Sequence, residues 1–211
     1  MNEFKTEQES FWAGDFGNEY IGRNSMTDEA VAARISQWCQ IINNIPGSIS
    51  DCLEFGTNIG INLKALGILL PHLKMSGIEI NERAAAECRK LPRVEIYQNS
   101  ILDFETSDKF DLTFTSGVLI HINPDFLPKV YDKLYNYSKR YILVCEYYNP
   151  TPVEVLYRNH TKKLFKRDFA GEILAKYPDV RLIGYGFFYH LDNNFPNDDF
   201  NWFLMEKGER K

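Results

Sequence analysis

Long apolar runs are missing from this sequence of 211 residues. The best candidate lies between Lys64 and Pro71, far short of the roughly 20 residues that cross a bilayer. The opening MNEFKTEQESFW is polar and acidic, without the apolar core of a secretory leader. Cysteine is scarce: Cys39, Cys52, Cys88 and Cys145 lie far apart in apolar segments, and no two have C-x-x-C spacing. That spacing argues against a zinc knuckle and a disulfide-stapled scaffold and predicts buried, reduced thiols. An excess of positive charge is also lacking: 24 Lys and Arg stand against 29 Asp and Glu, a net charge of −5. Such a balance opposes non-specific binding to nucleic acid or to an anionic membrane. The expectation is a soluble, cytoplasmic protein with no membrane and no nucleic-acid partner. Oligomeric state is not legible in the sequence.

Apolar residues make up 44% of the chain and charged residues 25%, ordinary values for a chain long enough to bury its own core. Aromatics reach 14%, enough to furnish a rigid site wall or a generous core. Internal repeats and low-complexity stretches are absent. The chain is expected to form one domain over 1–211, with an N-terminal lid and helix over 1–45 and a substrate-side insertion over 149–168.

The stretch to about Asn24 mixes aromatics, glycine and charge without clean periodicity. From Thr27 to Asn44, Val31, Ile35, Trp38, Ile41 and Ile42 recur at spacings of three and four, which predicts a helix capped by Thr27 and ended by Pro46-Gly47. Short apolar runs then alternate with helix-length segments. Strands are predicted at Asp51 to Gly56, Leu73 to Ile80, Val94 to Tyr97, Lys109 to Thr115 and Arg140 to Tyr147. Helices are predicted at Ile59 to Leu70, Asn81 to Lys90 and Asp125 to Ser138. That alternation means βαβ units and a mainly parallel sheet. A helix capped by Asp168, then strands at Val180 to Tyr189 and Asp199 to Glu206 around the loop LDNNFPND, finish the chain as an antiparallel hairpin. The predicted class is α/β, Rossmann-like, with a sheet of about seven strands and helices on both faces.

The first strand-to-helix turn reads Glu54-Phe55-Gly56-Thr57-Asn58-Ile59-Gly60. In a parallel sheet this turn lies at the carboxyl edge, where such folds bind ligands. Gly56 permits a sharp turn with no side chain in the way, Asn58 tolerates the left-handed conformation, and Gly60 lets the helix start pack closely. A dinucleotide fingerprint needs its last glycine where Ile61 stands, and a Walker loop needs Lys and Ser or Thr where Ile61 and Asn62 stand. The second strand ends in Glu79-Ile80, and an acid there accepts from both hydroxyls of a ribose. Asn99-Ser100-Ile101 follow the third strand, and Thr115-Ser116-Gly117-Val118 follow the fourth.

The form E-x-G-x-N-x-G, with these three segments in chain order, resembles class I S-adenosylmethionine (SAM) methyltransferases. The resemblance implies SAM as cofactor, S-adenosylhomocysteine (SAH) as product, and a cofactor site at Glu54, Gly56, Asn58, Gly60, Glu79, Ile80, Asn99, Ser100, Ile101, Thr115, Gly117 and Val118. Such enzymes usually carry an acid at the position of Ser100 to accept from the adenine amine; Asn99 or the Ser100 hydroxyl is expected to replace it. Residues 11–24 (FWAGDFGNEYIGRN), 146–155 (EYYNPTPVEV), 157–160, 164–170, 185–190 and 198–204 further resemble the pseudaminic acid biosynthesis-associated methylases. That narrower resemblance covers nearly the whole chain and points to a nonulosonic acid sugar or nucleotide-sugar acceptor.

Methyl transfer from a sulfonium is an in-line displacement that needs positioning and no metal. A hydroxyl acceptor also needs a base in reach. His121, after the fourth strand, and His160 are the candidates, and Tyr148 is a candidate substrate wall. Residues 158–167 (RNHTKKLFKR) hold five cations and no acid, which favours a small anionic acceptor held by Arg158. Trp12 and Tyr20 are expected to cover the cofactor and Arg23 to pair with its carboxylate. Two other readings stay open: a catalytically silent SAM-binding pathway partner, and a methyltransferase of a phosphonate or other non-sugar metabolite.

Overall fold

The computed structural model describes residues 4–23 and 26–208; the first residues of the opening segment and Asn24, named above, lie outside them. Strands β1 (Asp51–Phe55), β2 (Lys74–Glu79), β3 (Val94–Gln98), β4 (Phe110–Ser116) and β5 (Ser138–Glu146) run parallel. Strands β8 (Val180–Phe187) and β9 (Asn201–Lys207) join them antiparallel, and the seven-stranded order is β3-β2-β1-β4-β5-β9-β8. This is the predicted Rossmann-like sheet with its closing hairpin.

Alternation along the strands feeds two cores, one per face. Tyr141, Leu143 and Cys145 of β5 join Cys52, Phe114, Trp38 and Leu66 on one side. Ile142 and Val144 join Leu53, Leu127, Leu134 and Ile173 on the other. The first face is covered by helices α3 (Asp28–Ile42) and α4 (Ile61–Leu69) with α5 (Glu82–Cys88), the second by α6 (Leu127–Tyr137) and α7 (Phe169–Lys176). A strand buried on both faces has no need of polar residues, which is why β5 reads as an unbroken apolar run. The expected caps form: Thr27, Asn81 and Asp168 accept from the backbone N–H groups of Ala30, Ala84 and Gly171.

Two segments that had no assigned element gain one, and two expectations are corrected. The aperiodic N-terminus folds as two short helices, α1 (Glu7–Ala13) and α2 (Asp15–Ile21). Their two-turn length hides any 3.6-residue period. The segment within 149–168 is a separate hairpin, β6 (Val153–Tyr157) and β7 (His160–Lys166), closed by Arg158 and Asn159, both at positive φ (49° and 65°). Such a two-residue turn matches strand twist, and Asn159 is its sequence signal. The helix expected from Asp125 begins as a 3₁₀ turn, Pro124–Phe126, before α6. Finally, Cys52, Cys88 and Cys145 are buried free thiols, but Cys39 is exposed. Among the described residues no helix is long and apolar enough to cross a membrane.

Candidate active site

The carboxyl ends of β1, β2, β3 and β4 open into one cavity, roofed by α1 and α2. The turn after β1 takes its shape from three left-handed residues, Gly56 (φ 77°), Asn58 (φ 49°) and Gly60 (φ 87°). A Cβ on Gly56 would lie 2.7 Å from Val118 Cγ2, so the glycine keeps two loops in contact across the cavity floor. A Cβ on Gly60 would run into Cys88 Sγ and Leu91, which fits its expected packing role; Gly60 does not line the cavity. The N–H groups of Gly56 and Thr57 both donate to the Ile78 carbonyl, at 2.8 and 3.1 Å. They are thereby committed to holding the turn and are not free to cradle a diphosphate.

Glu79 stands at the end of β2 and lines the cavity. Its carboxylate accepts from Asn58 N (2.6 Å) and Asn81 N (2.8 Å), one bond to each oxygen. Two backbone donors fix its orientation and leave each oxygen a lone pair. Burial pushes its pKa up against those bonds.

Next to it, Glu54 and Arg34 line the same cavity. Burial drives the Glu54 carboxyl up to about 8, although an Asn62 hydrogen bond (2.6 Å) and the nearby Arg34 charge pull it down. Glu54 Oε2, Arg34 Nε and Gln37 Nε2 are buried without a hydrogen-bond partner among the described residues. Gln37 lies outside the lining, so one acceptor (Glu54) and one donor (Arg34) are left over in the cavity, and they fit the ammonium and carboxylate of an amino acid. Sequence reasoning assigned that carboxylate to Arg23, which instead lies 3.8 Å from Glu19 and over the Phe16 ring, outside the cavity lining. Arg34 was hidden because it looks like any polar position of an amphipathic helix.

After β3 the side chain of Asn99 accepts from Ser100 N and does not line the cavity. Ser100 does, with Ile80 and Ile101, and its hydroxyl donates to Glu9 of α1. After β4, Gly117 and Val118 line the cavity, while Thr115 is buried in the sheet behind them and Ser116 takes its place. That loop is held by Glu146, whose carboxylate accepts from the N–H groups of Val118 and Leu119, both at 3.0 Å; burial pushes Glu146 up to about 7.

The far end is aromatic. Trp12, Tyr20, Tyr147, Tyr157 and Phe200 line it with His121 and Asp198. His121 Nδ1 lies 2.6 Å from the Lys163 carbonyl. A carbonyl only accepts, so Nδ1 carries the proton and Nε2 is the ring's acceptor. Burial lowers the imidazole to about 4, which keeps it neutral at physiological pH. The other three catalytic candidates are placed outside the lining. Tyr148 is exposed beside Phe203, and Tyr147 supplies the wall instead. His160 packs against Phe11 and Phe16. Arg158 occupies the β6–β7 turn, its guanidinium 5.7 Å from the ring of Tyr157, and Lys166 lies 4.7 Å from the ring of Tyr147. The basic island is also partly neutralised: Lys163 pairs with Glu7 (3.1 Å) and Arg167 with Glu172 (2.6 Å).

No protein-family model matches the chain, and no curated protein matches it. Solved structures do. The plantazolicin methyltransferase BpumL in complex with SAH is 13% identical at a TM-score of 0.65, over 96% of this chain and 94% of that one. The N-methyltransferase NodS from Bradyrhizobium japonicum, also with SAH, is 16% identical at 0.67, over 92% of this chain and 100% of that one. A SAM-dependent methyltransferase from Leishmania major is 18% identical at 0.67, over 96% and 86%. At these identities the likeness establishes the fold: the chain has the class I SAM-methyltransferase architecture.

Proposed function

We propose that this protein is a SAM-dependent methyltransferase of a small molecule. One observation carries the reading. Along one wall of the cavity, a ribose-type acceptor (Glu79) neighbours a buried spare acceptor and a buried spare donor (Glu54 and Arg34) suited to an amino acid zwitterion. Nucleoside and amino acid in one ligand describe SAM. The site would hold it through Glu79 at the ribose, Arg34 and Glu54 at the methionine end, and Gly56, Asn58, Gly117 and Val118 along its length. When bound, SAM would supply an electrophilic methyl carbon for in-line displacement, with its sulfonium sulfur leaving as the thioether of SAH.

The chain's own residues then position the acceptor. Trp12, Tyr20, Tyr147 and Tyr157 exclude water, and His121, neutral and protonated at Nδ1, offers Nε2 as the base for an oxygen or nitrogen nucleophile. Arg158 and Lys166, each over a tyrosine of the wall, put positive charge at the rim. That supports an acceptor whose anionic group stays outside while its nucleophile enters. A nonulosonic acid sugar or nucleotide sugar fits, as the narrower sequence resemblance suggests, and so does a phosphonate.

The test is calorimetric titration with SAH and with NAD, then turnover of SAM with acidic sugars, nucleotide sugars and phosphonates. SAH binding with turnover of an acidic acceptor is expected. SAH binding with no turnover of any acceptor leaves the silent-partner reading, and NAD binding without SAH binding overturns the proposal.

A further inference from the structure

Glu9 has no counterpart in the sequence motifs, yet it sits in the cavity beside the residue that departs from them. It is 7% exposed, lines the cavity, and belongs to a helix 91 residues away in sequence from the serine it meets. Its two oxygens do different jobs. Oε2 accepts from Lys5 N (2.7 Å) and Thr6 N (3.0 Å), completing a capping box at the start of α1. Oε1 accepts the Ser100 hydroxyl proton and keeps a lone pair. Ser100 in turn accepts from Leu102 N at 3.0 Å, so its proton is committed to Glu9.

Strand ends in a sheet lie about 4.8 Å apart. With the ribose on Glu79 at the end of β2, the base reaches the end of β3, between Ile80, Ile101 and Leu102, where Glu9 is the carboxylate. We propose that Glu9 accepts from the exocyclic amine of the cofactor's adenine, taking over from α1 the role of the acid that the end of β3 lacks. This rests on the proposed SAM site. It makes the roof of the cavity part of the cofactor's recognition, and it makes the base specificity depend on one oxygen atom.

Glu9→Gln tests it. Gln also serves at the third position of a capping box, and the backbone N–H groups of Lys5 and Thr6 draw its amide oxygen to the Oε2 side. Its NH₂ then replaces Oε1 and faces the base as a donor. The probes are SAH and its inosine analogue, whose 6-oxo group accepts where adenine donates. The wild type is expected to bind SAH at least about 30-fold tighter than the inosine analogue, the scale of one charge-assisted hydrogen bond. Glu9→Gln should lose SAH affinity by about that factor, gain affinity for the analogue, and unfold at an unchanged temperature. Adding Ser100→Asp should return the preference for SAH. Wild-type binding of both ligands within about threefold, or a Glu9→Gln protein that keeps the wild-type preference, overturns the proposal for Glu9 and leaves the SAM site standing. Failure of the wild type to bind SAH at all defeats the SAM site itself, and Glu9's role with it.

Discussion

On the proposed function, single side chains decide the cofactor site, and two substitutions test it. Glu79 is held by two backbone donors, so truncation removes a pre-oriented pair of acceptors rather than a mobile carboxylate. Glu79→Ala is expected to lower SAH affinity at least about tenfold by calorimetry, since hydrogen bonds to a charged group contribute about 1.5–3 kcal/mol each. Unchanged affinity in a folded variant removes Glu79 from the site. Gly56→Val puts a branched side chain at a φ of 77° and against Val118. The strain costs about 1–3 kcal/mol. A lower melting temperature and loss of SAH binding should appear together; normal SAH binding would mean that the turn is an ordinary connection. The glycines, Asn58 and Glu79 stood out in the sequence because they sit at strand ends in a recognisable spacing, although their contacts reach Val118, Cys88 and one another across the fold. Arg34 and Glu9 did not, because each is a polar helix position with no local pattern to mark it, and only the fold brings it to Glu54 or to Ser100.

Among the elements, the pair α1–α2 is the least predictable and the most consequential. Besides the Ser100–Glu9 bond, it is pinned on two flanks. Asn81 Nδ2 donates to the Trp12 carbonyl and to Asn18 Oδ1, both at 3.1 Å. On the other side Gln8 Nε2 donates to the Lys162 carbonyl at 2.9 Å, and Glu7 pairs with Lys163. Asn81→Ser separates Asn81's two duties. Serine still caps α5, so the melting temperature should move little, but it is too short to reach the lid. Hydrogen exchange measured by mass spectrometry should speed up in residues 7–21 and stay as it was in 82–88. Equal protection in the lid would show that the hairpin side holds it unaided. The strands and long helices were readable from periodicity, whereas the β6–β7 hairpin was read as a charge run, since its cations distract from the Val153, Val155, Tyr157 alternation.

At the level of the whole molecule, buried acids couple stability to pH. Glu54 has a native value of about 8 against an ordinary 4.5, and Glu146 about 7. Between those limits the native state holds more protons than the unfolded one, so stability falls as pH rises. His121, lowered to about 4, acts in the opposite sense only below its ordinary 6.5. The window from pH 6.5 to 8 therefore isolates the carboxyls. The melting temperature of the free protein should decline across it, and Glu54→Gln should flatten most of the decline; an unaltered slope in that variant places the effect elsewhere. SAH should reverse the linkage, because its ammonium favours ionised Glu54: binding at pH 7 is expected to release a proton, measurable as a dependence of the binding heat on buffer ionisation.

On the proposed function, the pinned helix pair would also have a kinetic meaning. Trp12 and Glu9 ride on the same short helix, one facing the acceptor's chamber and the other the end of β3. On the proposed function, spent cofactor leaves only after the anchors on both flanks have let go together. Turnover would then be paced by how often that helix pair lifts, and a pre-steady-state burst of methylated product would precede a slower steady rate.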